Sequence, residues 1–219
     1  MTRKGSAGDP LDELLKAIPV LVGRPATGSD RRAFARYLEL LVQWNRVHDL
    51  TGLKEPRAIV RGLFLDSLLF LSQLPPRPIR LVDIGSGAGV PGIPLRLVEP
   101  GIELTLVESR QKRVSFLSTV RRELRLEGVR VLETRAEDAL REDSGLEAGF
   151  DAVIARAITP TEVFLGTCRR YLKPGGRVVI SGPPAAKGLP PNPTGTAWVR
   201  ALFPKLGLER TFLTLSHEA

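Results

Sequence analysis

The stretch Asp83-Ile84-Gly85-Ser86-Gly87-Ala88-Gly89-Val90-Pro91-Gly92 has residue types and spacing that suit ligand binding. It begins inside a short apolar run, Ile79–Ile84, and leads into a helical pattern around Ile93–Val98. Glycines where a strand turns into a helix let a ligand touch backbone, and a helix start offers free N–H groups. A second apolar run, Ile102–Val107, ends in Glu108. A carboxylate there can accept hydrogen bonds from both hydroxyls of a ribose. Gly87 to Gly92 matches the dinucleotide pattern GxGxxG, which alone is a weak signal. A glycine-rich turn without a ligand is the plain alternative.

These residues need a scaffold, and the patterning supplies one. Strands are expected at Ile79–Ile84, Ile102–Val107, Val129–Glu133, Phe150–Ala155 and Arg177–Ser181, alternating with helices. The helices are Ile93–Val98, Arg110–Leu126, a short one near Glu137–Leu140, and one from a Thr159–Glu162 capping box to about Leu172. Such alternation implies an α/β fold with a mostly parallel sheet covered on both faces. Residues 183–195 hold five prolines and two glycines and read as a loop. Ala197–Phe203 and Phe212–Leu215 are expected to pair as a final hairpin. Ahead of the sheet stand three helices: Leu11–Leu21 capped by Asp9-Pro10, Ser29–Val47, and Glu55–Leu74 ended by Pro75-Pro76-Arg77-Pro78. We therefore expect a helical cap over 1–78 and a catalytic domain over 79–219. The polar leader, residues 1–8, is expected to be disordered.

Composition narrows the function. The chain has 219 residues, 42% hydrophobic and 26% charged, which suits one folded unit with a real core. Its net charge is +8, and 25 of its 32 basic residues are arginine. That balance favours a polyanionic partner, and arginine suits phosphates and guanine edges. The surplus is uneven: 13 basic and 8 acidic residues over 1–80, 10 and 11 over 81–145, 9 and 5 over 146–219. One cysteine, Cys168, excludes an internal disulfide, and two histidines leave little for a metal site, so no metal is expected. No apolar run is long enough to span a membrane, and Met1–Ser6 lacks a signal-peptide core, so a cytoplasmic protein is expected.

An acidic residue two places before the first of three alternating glycines resembles motif I of class I S-adenosylmethionine-dependent methyltransferases. Tyr171-Leu172-Lys173-Pro174-Gly175-Gly176 resembles the turn before their fifth strand. Further blocks are Trp44-Asn45 with Leu50-Thr51, Phe64-Leu65-Asp66-Ser67-Leu68 and Val90-Pro91-Gly92-Ile93-Pro94-Leu95. Lys112 to Leu117, Arg135-Ala136-Glu137 and Ala155-Arg156-Ala157 complete the set. Together they resemble the bacterial 16S ribosomal RNA guanine-N7 methyltransferase G family, also called glucose-inhibited division protein B. The resemblance implies a Rossmann-like class I methyltransferase fold with a seven-stranded sheet and an N-terminal helical cap. It implies methyl transfer from S-adenosyl-L-methionine to guanine N7 in the 530 loop, position 527, of 16S rRNA or a small-subunit precursor. The cofactor residues implied are Asp83, Gly85, Ser86, Gly87, Gly89, Val90, Glu108, Ala136, Glu137 and Arg156. Gly85 and Val90 would bound the methionine end, and Ala136 and Glu137 would lie beside the adenine. The family usually has His where this chain has Leu63, and Lys where it has Ser181.

Guanine N7 carries an unprotonated lone pair, so methylation there needs no general base. Arg156 is permanently charged and cannot be one. It is expected to position the guanine or a phosphate, the alternative being an ion pair with a carboxylate. Asp66 is expected to brace the cap against the glycine loop, and Asn45 either to hydrogen-bond internally or to touch RNA. Arg110, Lys112, Arg113, Arg121, Arg122 and Arg125 crowd one helix, and Arg31, Arg32, Arg36, Arg46, Arg57 and Arg61 the cap. Either set could meet RNA phosphates, which give affinity without sequence choice. A monomer is expected. A non-catalytic cofactor-binding RNA protein, or a methyltransferase for another RNA or a small molecule, are the alternatives.

Overall fold

Seven strands form one sheet because their apolar side chains can be buried only against each other and the helices around them. The computed structural model describes residues 8–183 and 188–217. Residues 1–7 of the polar leader and 184–187 of the proline-rich segment lie outside the described residues. The strands are β1 (Ile79–Ile84), β2 (Ile102–Glu108), β3 (Val129–Glu133), β4 (Phe150–Ala155), β5 (Leu172–Ser181), β6 (Ala197–Phe203) and β7 (Leu208–Ser216). Their order is β3-β2-β1-β4-β5-β7-β6. Pairs among β1 to β5 are parallel, and β7 runs antiparallel to both β5 and β6. In β1, five of six residues are buried, as a parallel strand covered on both faces requires. The chain moves outward from β1 to β3, then returns to β4 on the other side. Loops after β1 and β4 therefore diverge, leaving a crevice at their carboxyl ends.

The helices of the sheet domain are α5 (Gly92–Val98), α6 (Gln111–Glu123), α7 (Ala136–Glu142) and α8 (Glu162–Tyr171). Helix α6 stops three residues before the expected Leu126, where Arg125 takes a positive φ of 50°. Helix α8 is capped by Thr161, not Thr159: the Thr161 hydroxyl accepts from the Phe164 N–H at 3.2 Å. The Glu162 carboxylate instead accepts from the Thr194 N–H. Cys168 on α8 is fully buried, and burial raises its thiol pKa. Lys173 to Gly176 does not precede β5 but lies within it, at a bulge opposite Phe150–Ala152. The final hairpin forms as expected, with β7 longer than Phe212–Leu215.

In the cap, α1 spans Asp12–Val22 and α2 spans Gly28–His48. Helix α2 starts one residue before the expected Ser29, at a capping box. Thr27 caps it, and Asp30 accepts from the Thr27 N–H at 2.7 Å. The expected third helix is one helical path of changing pitch: α3 (Pro56–Ile59), a π-helical turn (Val60–Leu65), α4 (Asp66–Leu68) and a 3-10 turn (Leu69–Gln73). Its Ile59, Leu63, Leu68 and Leu71 all point inward. Asn45 is buried and makes internal hydrogen bonds, donating to Leu53 O and accepting from the Thr51 N–H. One apolar core runs without interruption from Leu11 in the cap to Phe212 in β7.

Candidate functional site

The glycine loop after β1 is fixed from below and from the cap. Asp83 is fully buried, and its Oδ2 accepts from the Gly92 N–H at 2.9 Å. A Cβ on Gly92 would sit 2.8 Å from that oxygen, so only glycine admits this brace. Gly89 has φ +85°, and a Cβ there would lie 2.4 Å from Ile93 Cδ1. Tyr37 of α2, fully buried and stacked on Phe64, donates its hydroxyl hydrogen to Ala88 O at 2.5 Å. The cap is thus tied to the loop through Tyr37, a residue that no motif in the sequence singles out. Asp66, expected to make this tie, pairs instead with Arg156 and Arg210.

Above the loop lies a cavity of about 410 Å³. Its floor is Gly85, Ser86, Gly87, Ala88 and Val90, and Glu108 stands at its side. Glu108 is 5% exposed. Its Oε2 accepts from the Gly87 N–H and its Oε1 from the Arg110 N–H, both at 2.9 Å. Each carboxylate oxygen can accept a second bond, so two hydroxyls of a ribose still find partners. Arg113 Nη1 lies 3.6 Å from Glu108 Oε2 and reaches over Gly87. Loop, carboxylate and volume together suit an adenosine-bearing cofactor.

The far wall comes from β4 and the cap. Arg156 follows β4 and lines the cavity with Ala157, Ile158 and Leu63. Ala157 holds a φ of 54°, a left-handed conformation that non-glycine residues adopt at a cost and that clusters at functional sites. Arg156 Nη2 donates to Gly62 O at 2.6 Å, in the π-helical turn. Short π-helical turns of this kind are frequent at functional positions. Arg156 Nη1 also lies 3.2 Å from Asp66 Oδ2. The ion-pair alternative for Arg156 is therefore real, and the residue also lines the cavity.

Of the residues the sequence put at the cofactor, Gly85, Ser86, Gly87, Val90, Glu108 and Arg156 line this cavity. Asp83 lies beneath the loop and acts as its brace. Gly89 shapes the turn without lining the cavity. Ala136 and Glu137 open α7 outside it, and Ala136 O accepts from the buried Tyr171 hydroxyl at 2.7 Å. Leu50, Thr51, Arg110 and Arg113 also line it. No sequence spacing ties Leu50 or Thr51 to the glycine loop, because the cap brings them there.

Asp83 is held protonated more readily than a free carboxyl. Burial pushes its pKa up to about 7, partly offset by the Gly92 N–H and reinforced by the Glu108 charge. Burial lowers the pKa of Arg156 from its usual value, while Asp66 raises it and Arg210 lowers it.

Comparison with known proteins agrees with this arrangement. The GidB family, described as rRNA small subunit methyltransferase G, matches residues 30–185. The ribosomal RNA small subunit methyltransferase G of Streptococcus suis (strain 05ZYH33) is 36% identical over 159 residues, 72% of this chain and 67% of that protein. That of Streptococcus pneumoniae (strain ATCC BAA-255 / R6) is 36% identical over 157 residues, 71% of this chain and 66% of its own. The chain thus spans about two thirds of the length of these curated relatives. Among solved structures, cofactor-bound Rv0187 from MTB superposes with a TM-score of 0.58 at 17% identity, covering 98% of this chain and 100% of that one. An Aquifex aeolicus SAM-dependent methyltransferase gives 0.52 at 15% identity, covering 73% and 92%. These similarities show the class I methyltransferase fold. With the family match across most of the sheet and half the cap, they lead to one conclusion: this chain belongs to the rRNA small subunit methyltransferase G family and is an S-adenosylmethionine-dependent methyltransferase.

Proposed function

We propose that this protein methylates N7 of a guanine in the 530 loop of 16S rRNA, position 527, acting as a cytoplasmic monomer. The observation that carries the reading is the chemistry of the cavity wall. Among the described residues it holds one carboxylate, Glu108, already accepting two N–H groups, and three arginines, with no His, Cys, Lys or Tyr. Such a wall suits a nucleophile that brings its own lone pair. The bound cofactor supplies an electrophilic methyl group. The chain's part is to orient and to exclude water: the glycine loop and Glu108 set one reactant, and Arg156, held by Gly62 O and Asp66, sets the other. Alignment of this kind supplies several kcal/mol of rate enhancement. The guanine must be splayed from its loop to reach the cavity. Substrate RNA and its relatives' names agree with the arginine-rich rim at Arg110, Arg113 and Arg156.

The test is methyl transfer from labelled cofactor to 16S rRNA lacking the modification, as free RNA and within small subunits. Cleavage chemistry specific for N7-methylguanine then maps the product. One labelled guanine in the 530 loop is the expected result. Label at another atom or loop corrects the site, and cofactor binding without transfer to RNA overturns the reading. Arg156→Ala is expected to lower transfer by roughly 100-fold, the scale set by lost alignment, while cofactor affinity changes by only about threefold. Wild-type transfer in that variant removes Arg156 from the site.

A further inference from the structure

Two arginines in this fold share one carboxylate. Asp66 Oδ2 lies 3.2 Å from Arg156 Nη1, and Asp66 Oδ1 lies 3.4 Å from Arg210 Nε. The three side chains come from separate elements: the end of β4, the helical turn after the π segment, and β7. Each is only 16–20% exposed. The cluster holds two permanent cations and one anion, largely out of water. A single ion pair would suffice to tie the cap to the sheet. A second guanidinium beside the first adds repulsion and a desolvation cost. That cost appears in Arg156, which both burial and Arg210 make harder to charge.

The hydrogen bonding is incomplete in the same place. Neither ionic contact has hydrogen-bond geometry: Arg156 Nη1, Arg210 Nε and Asp66 Oδ2 are buried and lack a hydrogen-bond partner among the described residues. Buried donors left open are costly and are normally satisfied. Arg156 has one firm bond, to Gly62 O, and is itself one of the residues lining the cavity. The cluster therefore lacks one negative charge and one set of acceptor oxygens. A phosphate supplies both, and arginine forks bind phosphate oxygens in pairs.

We propose that Arg156 and Arg210 form a phosphate-binding subsite for the substrate RNA, with Asp66 as the counterion that holds the two guanidiniums in register before RNA arrives. The proposal rests on RNA being the substrate, and it adds Arg210, on the last strand, to the substrate-binding residues. Phosphate capture beside the cavity would anchor the backbone of the splayed nucleotide, and Arg156 would be shared between phosphate and cavity.

The full-length protein tests this through the salt dependence of binding to unmodified 16S rRNA. Each neutralised phosphate contributes to the slope of log affinity against log salt concentration. Arg210→Met is expected to lower that slope by about one. It should also raise the KM for RNA roughly tenfold and leave the cofactor Kd within about twofold. Arg210→Lys, keeping the charge, is expected to retain the slope. Asp66→Asn removes the resident anion, so the slope should not fall, while kcat drops because Arg156 loses its tether. Where the Met variant fails to fold, Arg210→Gln is read instead. A folded variant without the charge but with the wild-type slope overturns the subsite. So does a loss of cofactor affinity at unchanged slope, which would place the anion on the cofactor. Wild-type protein that neither binds nor methylates rRNA overturns the substrate reading along with the subsite. Wild-type transfer with an unaltered Arg210→Met slope overturns the subsite alone.

Discussion

Asp83 shows how one buried side chain couples the cofactor loop to pH. Its pKa is pushed up from 3.8 to about 7 because burial disfavours the charge. Between about pH 4 and pH 7 the folded protein therefore holds a proton that the unfolded chain has released. Folding stability falls as pH rises through that window and levels off above it. The full shift corresponds to a loss on the order of 4 kcal/mol. Asp83→Asn keeps an acceptor for the Gly92 N–H and cannot ionise. Relative to wild type, its melting temperature should improve from pH 5 to about pH 7 and then level off towards pH 8. Parallel melting curves for the two proteins across that range would show that Asp83 does not titrate in the fold. The acid two places before the first glycine is plain in the sequence. Its place beneath the loop is not, because that depends on how Gly92 returns over the end of β1.

At the scale of elements, the loop and the cap are held by local rules that can be broken singly. Gly89→Ala places a Cβ 2.4 Å from Ile93 Cδ1 and 2.9 Å from Tyr37 Oη, in a backbone with φ +85°. Left-handed strain costs about 1–2 kcal/mol and overpacking about 1–3 kcal/mol, so a destabilisation of roughly 2–5 kcal/mol is expected in denaturant titration. Cofactor affinity should fall with it. Thr27→Ala removes the cap of α2 and should cost about 1 kcal/mol. Asp30 would also lose a partner, and it holds more than the helix start: Arg24 bonds both its oxygens at 2.8 and 2.9 Å and donates to Val98 O at the end of α5. These ties hold the Asp30 carboxyl down to about pKa 2, so its contribution persists at neutral pH and fades only as pH falls below about 4. Strand positions were legible from apolar runs bounded by Gly and Pro. The π turn at Val60–Leu65 was not, because its buried Val60, Leu63, Phe64 and Leu65 leave helical periodicity almost intact.

At the scale of the whole molecule, cap and sheet are two architectures joined by a shared apolar core. Tyr37 reaches Ala88, Arg36 pairs with Glu123 at 2.7 Å, and Arg177 donates to Gln73 O. The apolar core includes Phe34, Tyr37 and Phe64 from the cap with Ile93, Leu104 and Phe116 from the sheet domain. A chain of residues 79–219 alone would expose that second set to water. It is expected to be aggregated or to lack cooperative unfolding, and a soluble fragment with a sharp melting transition would show that the boundary near residue 78 separates independent units. The charge split follows the same division. The near-neutral segment 81–145 carries the glycine loop and Glu108, while the basic surplus lies in the cap and the C-terminal segment. Arg156 and Arg210 belong to that C-terminal surplus, and Asp66 comes from the cap.

Local information was enough for the parallel sheet, the glycine turn after its first strand, the carboxylate ending its second strand and the arginine after the fourth strand. Each follows from neighbours in sequence: alternation of apolar runs, glycine where backbone must turn tightly, a carboxylate at a strand end. Contacts between distant segments depended on the folded chain. The cap's approach made Asp66 the partner of Arg156 and Tyr37 the tie to the loop. The antiparallel insertion of β7 brought Arg210, 54 residues beyond Arg156, to the same carboxylate. Charge pairing and burial act through space, so their effects appear only once the sheet order is set.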